Sequence, residues 1–311
     1  MATNTPFGQR LGLVLEGGAM RGMFSAGVMD VMMENGIRFD GIIGVSAGAA
    51  FGVNYKSGQI GRAIRYNANY CHGCGYVAGQ KGRSIRYYRK YRSDKHFMGL
   101  YSLLTTGDVV GTKFCYEDIP LRLDPFDEAA FEKAPVDFYV TVTNVRTGKP
   151  EYILCDELKV GSKMDVIRAG ASMPLCSKMV EWNGNLYLDG GVSDSIPYAK
   201  MKDFGCRKSI VVLTQPAGYL KQPAAMAPFE AMYRKYPAFV EAMRGRDQMY
   251  NTEVCAVEQA AKQGDVFLIR PSKLLHVGRM EHDIEVLNAQ YELGRQDARN
   301  QMDAMREWME R

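Results

Sequence analysis

The sequence predicts an α/β fold, a three-layer α/β/α arrangement around a central, mostly parallel sheet. Short apolar runs at residues 11–16 and 39–45 have the length and composition of buried strands. The segment between them has helical periodicity, and a right-handed crossover of this kind joins parallel strands. With 311 residues, of which 46% are hydrophobic, the chain can form one large core or a core with an appended subdomain.

The first two helices follow these strands. Apolar residues recur at helical spacing between residues 24 and 32, and Asn35-Gly36 supplies a left-handed stop. The second strand runs directly into Ser46 and a helix of small residues that ends near residue 58. Because the two strands are parallel, the loops that follow them should lie at one edge of the sheet.

Later segments add hairpins, strands and long helices. Alternating residues at 136–145 and 152–154 predict a hairpin that extends the sheet, and a helix is expected over 164–171. Asn183-Gly184, within residues 180–188, is typical of a type I′ turn and predicts a second hairpin. We also expect strands at 209–214 and 266–269, a linker at 216–228 and amphipathic helices over 241–262 and 281–310.

Composition narrows the class of protein. The net charge of +4 is too small to argue for nucleic acid, so no nucleic-acid partner is predicted. The first apolar run is too short for the hydrophobic part of a signal peptide, and no stretch is long enough to span a bilayer. The seven cysteines are odd in number and scattered, which favours free thiols and a cytoplasmic location.

No cofactor and no metal are predicted. Cys71 and Cys74 have the spacing of a metal knuckle around His72, but no second pair completes four ligands. The glycine-rich residues 17–22 lack the Gly-Lys-Ser/Thr of a phosphate-binding loop and the glycine offsets of a dinucleotide site.

A basic, tyrosine-rich stretch covers residues 79–95 and has two interpretations. The composition favours an ordinary solvated helix face with its tyrosines packed inward. The alternative is a surface for anionic head groups that brings the protein to a membrane as a peripheral partner. The cations that would make this contact are Lys81, Arg83, Arg86, Arg89 and Lys90.

Ser46 is the strongest candidate for chemistry. It is the centre of Gly44-Val45-Ser46-Ala47-Gly48, a Gly-x-Ser-x-Gly motif that follows an apolar strand and opens a helix. Gly44 and Gly48 permit a sharp turn that projects the serine hydroxyl, and the amino end of the helix favours developing negative charge. A tightly packed strand-to-helix junction without chemistry has the same pattern, so the motif alone leaves both interpretations open.

Two other segments could complete such a site. Gly17-Gly18 begins a helix at the same sheet edge, where free backbone N–H groups can bind an oxyanion. Asp189 ends a predicted strand beside Gly190 and Gly191, which would allow its carboxylate a close approach to another backbone. Histidine is the more usual base for serine, but His72, His96, His276 and His282 have no obvious setting, and a histidine-dependent hydrolase stays an alternative.

The motifs Glu-Gly-Gly-Ala-Met-Arg-Gly, Gly-Val-Ser-Ala-Gly, Ala-Ser-Met-Pro and Asp-Gly-Gly occur in an order that resembles the patatin-like phospholipase family, in its bacterial type. The resemblance implies a patatin-like catalytic domain over residues 8–205, followed by C-terminal strands and helices over 206–311 that pack on it or continue it. It covers residues 11 to about 200, and the remaining third lies outside these motifs.

The resemblance also implies a function. A Ser46–Asp189 dyad would hydrolyse fatty-acyl esters of lipids or phospholipids, with an oxyanion hole formed by Gly17, Gly18 and Ala19. Arg21 and Gly22 match the family pattern, whereas the family usually has glycine where this chain has Ala19. That departure motivates the alternative of a catalytically weak, lipid-binding protein with a patatin-like fold.

Overall fold

The computed structural model describes residues 10–71, 102, 104, 107–160, 164–281 and 283–311. Within these ranges, eight strands form one sheet. The strands are β1 (Leu11–Leu15), β2 (Gly41–Val45), β3 (Asp137–Asn144), β4 (Pro150–Leu154), β5 (Val180–Trp182), β6 (Asn185–Asp189), β7 (Lys208–Val212) and β8 (Val266–Ile269). Among the described helices, none combines the length and the apolar character needed to cross a bilayer.

Ten α-helices and one π-helix surround this sheet in the described part of the chain. The α-helices are α1 (Met23–Glu34), α2 (Ala47–Lys56), α3 (Arg62–Cys71), α4 (Glu128–Lys133), α5 (Asp165–Gly170), α6 (Tyr198–Asp203), α7 (Ala227–Met232), α8 (Pro237–Arg244), α9 (Arg246–Gln263) and α10 (Ile284–Glu310). The π-helix covers Phe114–Leu123, and short 3₁₀ turns lie at Ala19–Gly22 and Gly190–Val192.

The sheet is mostly parallel, as the sequence predicts. Its order is β5-β6-β3-β2-β1-β7-β8, with β4 also paired to β3. The pairs β1–β2, β2–β3, β1–β7 and β7–β8 are parallel, whereas β4, β5 and β6 join by antiparallel pairs. Strands β7 and β8 therefore continue the sheet of the N-terminal segment, and the domain division at residue 205 stays a prediction.

Alternation along the central strands creates the three layers, because successive side chains point to opposite faces of a sheet. Leu13 and Leu15 of β1 join the larger core cluster, formed with helices α1, α2 and α10. Val14, between them, joins the second cluster, formed with α6 and α9. Helices therefore cover both faces of the sheet, and the predicted α/β/α arrangement is confirmed.

The two turns predicted from glycine and asparagine are present, but one predicted long helix is not. Gly36 has φ 70° and follows helix α1 as predicted, and Asn183 and Gly184 both have positive φ in the hairpin between β5 and β6. The single helix predicted over 241–262 is wrong. Gly245 (φ −84°, ψ 0°) separates α8 from α9. Glycine favours such an interruption because it loses more conformational entropy in a helix than other residues do.

Helices α1 and α10 cross at two glycines, one on each helix. A Cβ placed on Gly27 would lie 2.1 Å from the backbone oxygen of Tyr291. A Cβ on Gly294 would lie 2.1 Å from the backbone oxygen of Phe24. The two backbones are therefore in direct contact, and the C-terminal helix packs against the helix that follows the glycine-rich residues 17–22.

We expect Gly27→Ala to lower the free energy of unfolding by about 1–3 kcal/mol, because its methyl group would force two buried backbones apart. Urea unfolding measures the change. Gly245→Ala is the matched control, since its nearest neighbour would be 3.8 Å away and its φ is negative. Equal stability of the two variants would contradict a direct backbone contact between the helices.

Candidate active site

Ser46 occupies the sharp turn between β2 and α2. Its backbone has φ 53° and ψ −122°, a conformation that residues with a side chain rarely adopt and that stores strain. The residue is 8% exposed and lines a cavity. The strained turn therefore presents the hydroxyl at the carboxyl edge of the sheet, as a nucleophile elbow does.

Three glycines make room for this turn. A Cβ on Gly48 would lie 2.3 Å from the backbone oxygen of Leu15, so the start of α2 touches the end of β1. A Cβ on Gly44 would lie 2.5 Å from the backbone of Ala49. At Gly17 it would lie 2.8 Å from the Cβ of Ser46, which brings residues 17–19 directly beside the serine.

Asp189 reaches the same point from the last residue of β6. The nearby Ser46 hydroxyl and a hydrogen bond from the Gly191 amide, at 2.8 Å, favour its ionised form. Burial is the larger influence, and it raises the pKa of Asp189 above its ordinary value. Gly190 allows the approach, because a Cβ there would lie 2.3 Å from the backbone oxygen of Thr141.

Residues 17–19 form a loop with unused amide groups. Within the described residues, the N–H groups of Gly17, Gly18 and Ala19 donate no hydrogen bond. Ala19 has φ 49°, so its Cβ is accommodated in the left-handed region where glycine is usual. The three residues are half-buried, and their unpaired amides beside a serine could bind an oxyanion.

A buried network holds this loop in place. Glu16, 3% exposed, accepts hydrogen bonds from the Thr214 amide at 2.5 Å and from the Tyr250 hydroxyl at 2.9 Å. The Thr214 hydroxyl donates to the Gly17 oxygen at 3.1 Å. Burial raises the pKa of Glu16, and these donors oppose that shift. Glu16 therefore ties the ends of β1 and β7 to helix α9.

The two remaining residues of the first motif have different surroundings. Gly22 packs against the start of α2, where a Cβ would lie 2.9 Å from the Cβ of Ala47. Arg21 lines a cavity, and its buried Nε has no hydrogen-bond partner among the residues that the structure describes. Its backbone oxygen accepts a hydrogen bond from Gln290 of α10 at 3.4 Å.

Two cavities meet at Ser46. The apolar cavity, of about 160 Å³, has a mostly apolar lining that includes Phe51, Phe126 and Ile167. The polar cavity, of about 170 Å³, has Glu16 and Asp189 in its walls. The residues that line both are Ala19, Ser46, Met173, Arg279 and Met280. An ester bound with its carbonyl at Ser46 could thus extend into two chemically different spaces.

A pair of carboxyl groups lies beside the loop that follows Asp189. Asp194 and Glu253 share a hydrogen bond, and the Tyr152 hydroxyl donates to Asp194 at 2.5 Å. Glu253 also accepts from the amides of Ser195 and Ile196, at 3.1 and 3.0 Å. Burial, and then the neighbouring Asp194, raises the pKa of Glu253, so this pair retains a proton in the folded protein.

Other sequence candidates lie elsewhere or outside the described ranges. His276 is exposed and lines neither cavity. His72, His96, His282, Cys74 and the basic stretch at 79–95 lie outside the described residues. The sequence interpretation missed Lys221, Arg246, Tyr250 and Arg279, which also line the polar cavity. They come from distant segments, and no local motif marks them.

The fold and this arrangement define an α/β protein with a serine elbow and an adjacent buried carboxylate. The chain belongs to the patatin-like phospholipase family, whose model matches residues 13–201. A second family model, a domain of unknown function (DUF6363), matches residues 236–310.

Several known proteins are similar to this chain. Protein YjjU of Escherichia coli (strain K12) is 26% identical over 294 residues, which are 92% of this chain and 75% of YjjU. Lysophospholipase nte1 of Aspergillus terreus is 27% identical over 203 residues, which are 64% of this chain but 11% of the fungal protein. The crystal structure of VipD from Legionella pneumophila has the same fold, with a TM-score of 0.50, 13% identity and coverage of 96% of this chain and 67% of VipD.

We expect Tyr250→Phe to lower the free energy of unfolding by about 1–3 kcal/mol, because it leaves a buried oxygen of Glu16 without its donor. Thermal and urea unfolding test this. Tyr219→Phe is the matched control, because Tyr219 is 36% exposed and packs against the Tyr250 ring at 6.0 Å. A loss of stability in Tyr219→Phe alone would contradict a structural role for the Tyr250 hydroxyl.

Glu253→Gln should make stability less dependent on pH. Above the ordinary glutamic acid pKa of about 4.3, the folded pair keeps a proton that the unfolded chain releases, so stability falls as pH rises. The slope approaches about 1.4 kcal/mol per pH unit for one proton, and glutamine does not titrate. Urea unfolding of both proteins between pH 5 and 8 should show the variant gaining stability relative to the wild type.

The exposed Glu292 supplies the control, and Glu292→Gln should follow the wild-type pH dependence. A constant stability difference between wild type and Glu253→Gln across this range would show that the carboxyl pair holds no extra proton.

Proposed function

We propose that this protein is a serine acyl hydrolase that cleaves fatty-acyl esters of lipids or phospholipids through Ser46 and Asp189. One observation carries the proposal: Ser46, on a turn with φ 53°, and the buried Asp189 line one cavity, and the Ser46 hydroxyl is close enough to the Asp189 carboxylate to favour its ionised form. A serine needs an adjacent base to act as a nucleophile, and here a carboxylate takes that place. Family membership supports hydrolysis of lipid esters.

The first step forms an acyl-enzyme. Asp189 accepts the proton of the Ser46 hydroxyl while Oγ attacks the ester carbonyl carbon, and the carbonyl oxygen becomes an oxyanion. When this tetrahedral intermediate collapses, the bond from carbon to the alcohol oxygen breaks. The leaving alkoxide takes the proton from Asp189 and departs as the alcohol.

The second step releases the acid. Asp189 accepts a proton from water, whose oxygen attacks the acyl carbon and forms a second oxyanion. Collapse then breaks the bond to Ser46 Oγ, which recovers a proton from Asp189 and leaves a free fatty acid. The same carboxylate serves both steps, and no metal takes part in this scheme.

The residues around Ser46 and Asp189 support the proposed stabilisation of the oxyanion and the proposed role of Asp189 as the base. The free amides of Gly17, Gly18 and Ala19 would stabilise the oxyanion, together with the amino end of α2 that begins after Ser46. Burial makes Asp189 a stronger base than an exposed aspartate, while the Gly191 amide keeps its carboxylate oriented. Arg246, which donates from Nε to the Gly191 oxygen at 2.5 Å, supports that segment.

The apolar cavity suits the acyl chain. Its walls come from α2, α3, the π-helix and α5, and side chains such as Phe51, Phe126 and Ile167 offer no hydrogen-bond partners to a polar ligand. The fungal relatives are lysophospholipases by name, which supports a lipid as the source of this acyl group.

We further propose a cytoplasmic location with peripheral membrane contact through the basic stretch at 79–95.

Ser46→Ala and Asp189→Asn should each reduce kcat for a p-nitrophenyl acyl ester by at least about 1,000-fold, because each removes one half of the dyad. Circular dichroism and melting temperature would show that the fold persists. Asp203→Asn, at an exposed carboxylate, should retain full activity.

A fluorophosphonate probe separates this proposal from the alternative of a lipid-binding protein with little turnover. Covalent labelling of Ser46 that is lost in Asp189→Asn would show an activated nucleophile. A folded wild type that binds lipid but is neither labelled nor active would overturn the hydrolase.

A further inference from the structure

Basic side chains from four separate segments converge on the polar cavity beside Ser46. They are Arg21 of the first 3₁₀ turn, Lys221 between β7 and α7, Arg246 at the start of α9, and Arg279 between β8 and α10. Lys221, Arg246 and Arg279 lie outside the motifs that mark the elbow, the glycine loop and Asp189. The C-terminal third of the chain therefore supplies most of the positive charge at the site.

The protein neutralises this positive charge only in part. The cavity lining has two acidic residues, Glu16 and Asp189, against the four cations. Even when both carboxylates are ionised, the four cations exceed the two acids by two positive charges. None of the four cations forms an ion pair with a carboxylate in the part of the chain that the structure describes.

The cations also act on one another. Burial, and then the charge of Arg246, lowers the pKa of Lys221 to about 8, with further contributions from Arg21 and Arg279. The buried Nε of Arg21 has no acceptor among the described residues. Buried donors are normally satisfied, so an orphaned one beside a cluster of like charges indicates a place for an anion.

Two of the cations are held in place before any ligand arrives. Arg246 donates to the Gly191 oxygen at 2.5 Å, and Lys221 Nζ lies 4.0 Å from the centre of the Tyr250 ring. The Asn251 side chain clamps the Lys221 backbone, accepting from its amide at 2.9 Å and donating to its oxygen at 3.1 Å. Such preorganisation lowers the entropy lost on binding.

We propose that Lys221, Arg246 and Arg279, with Arg21, form a subsite for the phosphate group in the alcohol half of the ester substrate. The inference rests on the proposed function and adds the residues that would select an acyl ester whose leaving alcohol carries a phosphate over an uncharged one. The acyl chain occupies the apolar cavity, the carbonyl lies at Ser46, and the phosphate lies in the polar cavity. Arginine and lysine are the usual partners of phosphate oxygens.

A matched pair of substrates tests the subsite. The 3-phosphate of a 1-acylglycerol and the uncharged 1-acylglycerol share one acyl chain and differ in the phosphate. The wild type should favour the phosphate ester in kcat/KM by at least about tenfold. Lys221→Gln and Arg279→Gln should each reduce this preference by at least about fivefold, chiefly through KM, because each removes a charge-assisted hydrogen bond.

Lys273→Gln is the control, because Lys273 is an exposed cation in the same segment as Arg279 and lines neither cavity. Its substrate preference should equal that of the wild type. A wild type without preference for the phosphate ester, or a preference that survives in both Lys221→Gln and Arg279→Gln, would overturn the subsite while leaving the hydrolase intact.

Binding to the inactive Ser46→Ala protein separates the subsite from the proposed chemistry. Calorimetry should show tighter binding of the phosphate ester than of the uncharged ester, and the difference should shrink in Ser46→Ala with Arg279→Gln. This result would support the subsite even if the wild type hydrolysed neither ester, which would refute the acyl hydrolase alone. Equal binding of the two esters would refute the subsite.

Inorganic phosphate identifies the source of the anion. Competitive inhibition of uncharged-ester hydrolysis by phosphate, weakened in Arg279→Gln, would show that the cations bind the free ion as well as the head group. A preference for the phosphate ester without such inhibition would assign the subsite to a phosphate delivered on a lipid.

Discussion

The geometry of the site depends on the contact between the end of β1 and the start of α2 at the edge of the sheet. Strand β1 ends against the start of α2, where the Leu15 oxygen leaves no room for a side chain at Gly48. The chain after β2 must therefore turn sharply, and Ser46 takes a left-handed conformation to do so. Strain of this kind persists where surrounding packing determines it, and here the sheet supplies that packing. Everything else at the site is arranged around this turn.

The acidic partner reaches the turn by a different topology. In a purely parallel sheet, functional groups collect where successive parallel strands end. Asp189 instead ends β6, which pairs antiparallel with β3, and the absence of a side chain at Gly190 lets that strand end close to Thr141. The antiparallel strand of this mixed sheet thus brings a carboxylate to the edge where the parallel strands end in loops. Burial then shifts the carboxylate towards basicity.

Much of the fold could be predicted because its signals are local. The apolar runs, the Asn183-Gly184 turn and the glycine-flanked Ser46 each depend on a few consecutive residues. Even the interruption at Gly245 had a visible signal, but periodicity on both sides concealed it. Lys221, Arg246 and Arg279 had no such signal. They meet because β7, α9 and the segment after β8 pack together, and an isolated cation in a sequence looks like any solvated surface charge.

The backbone contact between α1 and α10 has a consequence for how the protein is made. Gln290 on helix α10 donates a hydrogen bond to the oxygen of Arg21, and the two residues are 269 positions apart in the sequence. During translation the ribosome therefore releases this support for the glycine loop well after it has released the loop itself. The nascent chain carries the serine elbow long before it carries the helix that braces its neighbour. The loop beside the serine is thus braced only after a segment far along the chain has been made.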